Sequence, residues 1–332
     1  MRKSFFKHFN SVLTALFTAG ILSVTASAQE LSGKVVVYCP SPAGLANKIA
    51  KGFTEKTGVK VEMFQGTTGV ILARLEAEKA NPAADVVILA SWSDGLRMKE
   101  SGNILSYNPE NSDKMIKEWK DEDNMIFGTS ASAVGVIYNT ILYPELAADW
   151  NELAAPQYKD QLTIPDPEKS GSCKDFLAGY INSYGEKGWE TWKALKENGM
   201  NVAGANKAAL ESVLTGEKGI LIAGVDYNAY ASKVKGEPLD IYYPKSGTVV
   251  NPRPVMIMKT SKNLDNAKAF VDYMLSDEAQ KMVADAYLIP GRKDIKAEKI
   301  TPLENIPQLK TDWKWMTENS EEIAAKLNSI CK

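Results

Sequence analysis

KVVVYCPSPAGLANKIAKGFTEKTGVKVEMFQGTTGVILARLEAEKANPAADVVILA, residues 34–90, decides the fold class. KVVVYC is a short β-branched run closed by Pro40, which reads as a buried strand. LANKIAKGFTEKTG has helical spacing and stops at Gly58. VKVEMF (residues 59–64) is a second strand, VILARLEAEKA a second helix and ADVVILA (residues 84–90) a third strand. Strand-helix-strand-helix-strand is the pattern of an α/β unit with a parallel sheet.

A second series starts near Gly128 with the small and apolar run GTSASAVGVIYNT. LTIPDPEKSG, NVAGANKAALESVL and GILIAGVDYNAY each set an apolar strand before a loop and a helix start. YYPKSGTVVNPRPVMIMKTSKN is extended and carries prolines. It leads into LDNAKAFVDYMLSDEAQKMVADA, a pair of amphipathic helices. No solenoid-period repeat or low-complexity segment interrupts the chain.

The first residues stand apart. Arg2, Lys3 and Lys7 precede the apolar residues 12–24, and Ala26-Ser27-Ala28 has the small-x-small form of a cleavage site. The apolar part is shorter than the ~20 residues a membrane-spanning helix needs. Residues 1–28 are therefore expected to be a signal peptide cleaved after Ala28, with no cysteine nearby for a lipid anchor. Export to the periplasm follows. Taking the leader's three basic residues from 39 leaves 36 against 41 acidic ones, a net charge of −5. That balance argues against nucleic acid and anionic membranes as main partners.

The leader also holds His8, the only histidine. A mature chain without imidazole excludes Ser-His-Asp and Cys-His catalysis and the His-containing metal sites. A Cys173 nucleophile or an Asp226 base has no evident partner, so no enzyme, no catalytic residue and no cofactor is expected. Cys39, Cys173 and Cys331 are too widely spaced for a zinc site, and no structural dependence on a disulfide is expected. About 300 residues exceed what one core organises, so two lobes are expected.

The loops at the carboxyl ends of the strands share a composition. CPSPAG, QGTTG, ASWSD, DPEKSGS, GANKA and GVDYN are rich in Gly, Ser, Thr, Asn and Asp. Parallel α/β sheets present ligands at that edge, where helix N-termini offer unpaired N–H groups. The loops make Ser41, Thr67, Thr68, Gly69, Ser91, Trp92, Ser170, Gly171, Ser172, Asn206, Asp226 and Tyr227 candidate contacts for a small anionic or polar solute. Ser130, in GTSASAV, joins them. Arg253, in NPRPV, is a cation suited to a bidentate phosphate contact. The same serines and threonines suit plain helix capping, and Trp92 and Tyr230 suit a core.

VVVYC before a helix, FTEKTGVKVE, LEAEKANPAADVVI, IPDPEKSGS, and SGTVVNPRPVMIMK followed by NLDNAKAFVDYMLSDEAQ together resemble the extracytoplasmic solute receptors of ABC importers, in their ferric-type branch. The resemblance implies a periplasmic-binding-protein type II fold: two α/β lobes joined by two crossing β-strands, here residues 128–139 and 246–259. It implies that residues 29–127 plus 249–292 form lobe 1, that residues 128–248 plus 293–332 form lobe 2, and that the C-terminal helices return to the second lobe. Function follows as capture of a small anionic organic solute, a sugar phosphate or phosphonate, by domain closure and delivery to an inner-membrane permease. A monomer is expected. Asp226-Tyr227 looks like the sugar-orienting pair of hexose-phosphate receptors, although Val225 stands where those receptors carry histidine. The alternative cargo is ferric ion, held by Tyr227 and Asp226, but the adjacent tyrosines usual in iron receptors are missing.

Overall fold

The structure, a computed structural model, describes residues 31–331, so the expected leader lies outside it. The first series is β1 (Lys34–Cys39), α1 (Ala43–Thr57), β2 (Lys60–Gln65), α2 (Thr68–Ala77), β3 (Val86–Ile88) and α3 (Trp92–Glu100). The long β4 (Phe127–Asn139) leads to the second: β5 (Leu162–Pro165), α4 (Gly171–Tyr184), α5 (Glu186–Glu197), β6 (Asn201–Ala203), α6 (Asn206–Leu214), β7 (Ile220–Val225) and α7 (Asp226–Val234). After β8 (Leu239–Tyr242) come β9 (Val250–Ile257), α8 (Leu264–Met274), α9 (Asp277–Asp285), β10 (Ile289–Pro290) and α10 (Trp313–Cys331).

The strands run β2-β1-β3-β9-β4-β7-β5-β6, with β8 and β10 also paired to β4. Each end is parallel: β1 with β2 and β3, and β5 with β6 and β7. The middle is antiparallel, where β9 and β4 pair with each other and each reaches one end. This is the α/β class expected, two parallel halves tied by two long strands. The second of these strands is shorter than the extended segment in the sequence, eight residues from Val250.

β9 carries Pro252 and Pro254 inside the sheet, where a missing N–H normally breaks the ladder. The carbonyl of Pro254 accepts from Leu89 N on the β3 side, and β3 pairs with β9 only from Val255 onward. The proline nitrogens therefore face the β3 side at the end of that ladder, where Pro254 forgoes only the reciprocal bond to Leu89 O, and neither nitrogen faces β4. Toward β4 the register slips between Gly128 and Ser130 and leaves Arg253 opposite Ser130.

Each half has its own core. In the first, Val35, Val37, Ile49, Phe53, Val86, Phe270 and Val283 are buried together, with Phe53 edge-on to Phe270 at 5.2 Å. α8 and α9 thus return to the half that begins the chain. In the second, Trp150, Leu162, Phe176, Trp192, Ile222 and Leu327 pack together, and α10 lies against α4. α5 and β8 were not singled out in the sequence. Among the described residues no helix is long and apolar enough to cross a membrane.

Candidate functional site

The helix N-termini after β2, β3 and β5 converge where the halves meet. Thr67 caps α2 by accepting from Val70 N, and the neighbouring Thr68 hydroxyl accepts from Ala90 N at 3.1 Å. Ser91 caps α3, and Ser170 caps α4 through Cys173 N. A Cβ on Gly69 would lie 2.6 Å from the carbonyl of Glu168, and one on Gly171 would lie 2.9 Å from the Ser91 side chain. Glycine at both positions is what lets the halves touch. Ser170, Ser172 and Asn206 form one group, with Ser170 Oγ donating to Asn206 Oδ1 at 2.8 Å.

The start of α3 is filled from within the protein. Asp175, on α4, accepts from Ser91 Oγ at 2.9 Å and from Trp92 N at 2.8 Å, so a carboxylate of one half sits on a helix N-terminus of the other. Burial, helped by the nearby charge of Asp94, pushes its carboxyl up to about 6. Beside it, buried Lys174 reaches Asp94 at 2.8 Å and Glu321 of α10 at 2.7 Å, and Arg97 reaches the same two carboxylates. The Trp92 ring packs with Tyr38, Ile71 and Leu89 in a core cluster of the first half. Ser41 is half-buried beside Cys39, whose sulfur accepts from its N–H.

At the end of β7, Asp226 is 1% exposed and opens α7. It accepts from Ala133 N on β4 at 3.0 Å, from Tyr227 N at 2.8 Å and from the Tyr243 hydroxyl at 3.1 Å. Three of a carboxylate's roughly four acceptor positions are thereby occupied by protein. Burial pushes the carboxyl up to about 7 against these bonds, which favour the charged form. Tyr230 hydrogen-bonds Tyr243 and Thr301 and packs beside Ile289. Asp226 therefore ties α7 to a crossing strand.

The floor between the halves is different. Every residue of β4 and β9 is buried, yet Ser130, Ser132, Asn251 and Arg253 are polar. Ser130 pairs in register with Arg253 and Ser132 with Asn251, so all four share one face of the ribbon. Ala131, Ala133 and Val250, in the alternate positions, belong to a separate apolar cluster with Ile289. The Arg253 guanidinium, in a residue 1% exposed, sits 5.9 Å over the ring of Tyr227. Its Nε and Nη2 have no hydrogen-bond partner among the described residues, and it forms no ion pair there. Ser132 Oγ and Asn251 Oδ1 are also buried without partners. Burial holds the Tyr227 phenol above its ordinary range, with Arg253 pulling the other way.

The three cysteines are unpaired thiols. Burial puts the Cys173 thiol well above its ordinary range, and its Sγ donates to Pro165 O at 3.3 Å. Reading the sequence missed Ser132, Asn251, Lys174, Asp175 and Tyr243. The first two had a signal: polar residues recurring every second position, Ser130 and Ser132, then Asn251 and Arg253, inside apolar strand runs.

Residues 81–318 match the model of a family described as bacterial extracellular solute-binding protein. An uncharacterized protein of Haemophilus influenzae is 32% identical over 287 residues, covering 82% of this chain and 81% of that protein. Iron uptake protein A1 of Synechocystis is 27% identical over 252 residues, covering 72% of this chain and 70% of that one. Among solved structures, the periplasmic binding protein AfuA from Actinobacillus pleuropneumoniae, with exogenous fructose-6-phosphate bound, aligns with a TM-score of 0.82 and 25% identity. The alignment covers 90% of this chain and 98% of AfuA.

Proposed function

We propose a function from one premise: the chain belongs to the bacterial extracellular solute-binding proteins, which are receptors and not enzymes. It captures a small anionic organic solute, a sugar phosphate or phosphonate, between its two lobes and delivers it to an ABC permease from the periplasm. The lobes are residues 29–127 plus 249–292 and residues 128–248 plus 293–332, and closure about β4 and β9 brings their contacts onto the solute. The bound fructose-6-phosphate of AfuA supports this class of cargo.

One observation carries the reading. Arg253 buries a positive charge with free Nε and Nη2 donors and no anion beside it among the described residues. An uncompensated buried ion costs several kcal/mol, and an oxyanion on the guanidinium fork removes that cost. Ser130 lies opposite Arg253 on the same face, and the Ser170–Ser172–Asn206 group offers hydroxyls from the second lobe. Tyr227 walls the cation.

A thermal-shift screen of sugar phosphates, phosphonates and ferric citrate tests it. A ligand at ~100 times its dissociation constant adds about 2.7 kcal/mol to the folded state. Stabilisation by an organophosphate that disappears in Arg253→Met supports the reading. Ferric ion is the second reading, favoured by the Tyr227 phenol beside Asp226. Stabilisation by iron alone, with a phenolate charge-transfer band lost in Tyr227→Phe, would replace the first.

A further inference from the structure

Asn251 is fully buried, and its Nδ2 donates to Val249 O at 3.4 Å. A carbonyl only accepts, so with Nδ2 turned toward Val249 O the unpartnered end of the amide is Oδ1. Ser132, opposite it in register, also has a hydroxyl without a partner, and the two do not bond each other. Leaving such groups unsatisfied costs about 1–3 kcal/mol each. Asn251 lies two residues from Arg253 on the same strand face, a separation of roughly 6.5 Å along the backbone. The floor thus offers cationic donors at one point and a free acceptor, with a hydroxyl beside it, one strand repeat away. Inorganic phosphate or a plain alkyl phosphate would satisfy the first and leave the second unmade.

We propose that Asn251 and Ser132 are specificity-determining residues that read a hydroxyl or amine on the solute, carried a few bonds from its anionic group. The cargo is then a hydroxylated or aminated organic phosphate or phosphonate. This rests on the proposed function, an organophosphate bound on the floor between the halves. Oδ1 of Asn251 accepts from the solute's O–H or N–H, and Ser132 Oγ serves as donor or acceptor to the same group. Both residues sit on the strands that join the halves, so the contact is made at the hinge itself.

The test is calorimetric titration of the leaderless protein with two matched pairs: 2-aminoethylphosphonate against ethylphosphonate, and glycerol 3-phosphate against propyl phosphate. The wild type is expected to bind the donor-bearing member of at least one pair ten- to hundredfold more tightly. Asn251→Leu should bring that ratio close to one, and the milder Ser132→Ala should lower it severalfold, which keeps the test open if the leucine variant misfolds. Equal binding of both members by the wild type overturns the proposal, as does a ratio untouched in either variant. Arg253→Met separates the two readings. If it leaves the affinities intact while Asn251→Leu still removes the preference, the anchor is wrong and the specificity role stands. If the wild type binds neither pair, the specificity proposal falls; if it is stabilised by no organophosphate in the thermal-shift screen either, both fall.

Discussion

The start of α3 and the floor of the β4–β9 pair both bury charge where the halves meet, and they treat it oppositely. At α3, Lys174 and Arg97 face Asp94 and Glu321, and Asp175 sits on the helix N-terminus. Among the described residues only Asp94 Oδ2 and Ser93 Oγ there go without a hydrogen bond; both cations are ion-paired, and the extra carboxylate, Asp175, is held by Ser91 Oγ and the N–H of Trp92. On the floor, Arg253 Nε and Nη2, Ser132 Oγ and Asn251 Oδ1 all lack partners among the described residues. A balanced buried network is architecture that holds one half on the other. An unbalanced one is unfavourable until something else supplies the missing groups.

The largest effect expected from breaking this contrast is at the balanced end. Lys174→Met leaves Asp94 with Arg97 alone and should destabilise the free protein by about 3–5 kcal/mol in urea unfolding. A loss under about 1 kcal/mol would mean that the network contributes little. Arg253→Met should act in reverse. It should raise the dissociation constant for an organophosphate at least a hundredfold, about 2.7 kcal/mol, while leaving the free protein as stable or more so. A clear fall in the melting temperature of the unliganded variant would show that Arg253 is a structural cation and end the contrast.

A third test uses Asp226. Its carboxyl titrates near 4 in an unfolded chain and about 7 in the fold, so the native state holds the extra proton between those values. Stability should therefore fall as pH rises from about 4 to about 7, then level off. Asp226→Asn should remove on the order of 2 kcal/mol of the difference between pH 5 and pH 8, with Asp175 keeping a smaller slope. An unchanged difference would mean that Asp226 ionises in the fold as it does in water. The smallest effect is Tyr230→Phe, which loses bonds to Tyr243 and Thr301 away from the floor and should cost about 1 kcal/mol in urea unfolding. Ligand affinity should stay within threefold; a larger change would tie Tyr230 to the solute.

Much of the fold was legible because it rests on local periodicity. β1 through α3 follow from the alternation of KVVVYC, LANKIAKGF, VKVEMF and ADVVILA, and the capping residues Thr67, Ser91 and Ser170 stand where the helices begin. α10 was foreseen only as a return to the second lobe; its hold on Lys174 and Arg97 through Glu321 was not. The candidate site was legible in part. Arg253 stood out by charge between two prolines, but its burial depends on how β9 threads between β3 and β4. Asp226 stood out as an acid at a strand end, but the occupancy of its oxygens depends on Ala133 and Tyr243, 93 and 17 residues away. Asn251 and Ser132 show in the sequence only as polar residues at every second strand position; register is what places them opposite each other.

The two strands between the halves came from the family resemblance; by itself the sequence determined the α/β order and a histidine-free chain beyond residue 28 that excludes imidazole chemistry. These depend on composition and on neighbours within a few residues, where periods of 2 and 3.6 act directly. The tertiary structure alone decided which polar groups are spent and which are free. Asp175 and Lys174 are matched by residues of α3 and α10, while Arg253, Asn251 and Ser132 meet no such match among the described residues. Hydrogen-bond satisfaction is a property of residues far apart in sequence brought within about 3 Å, and no local pattern encodes it.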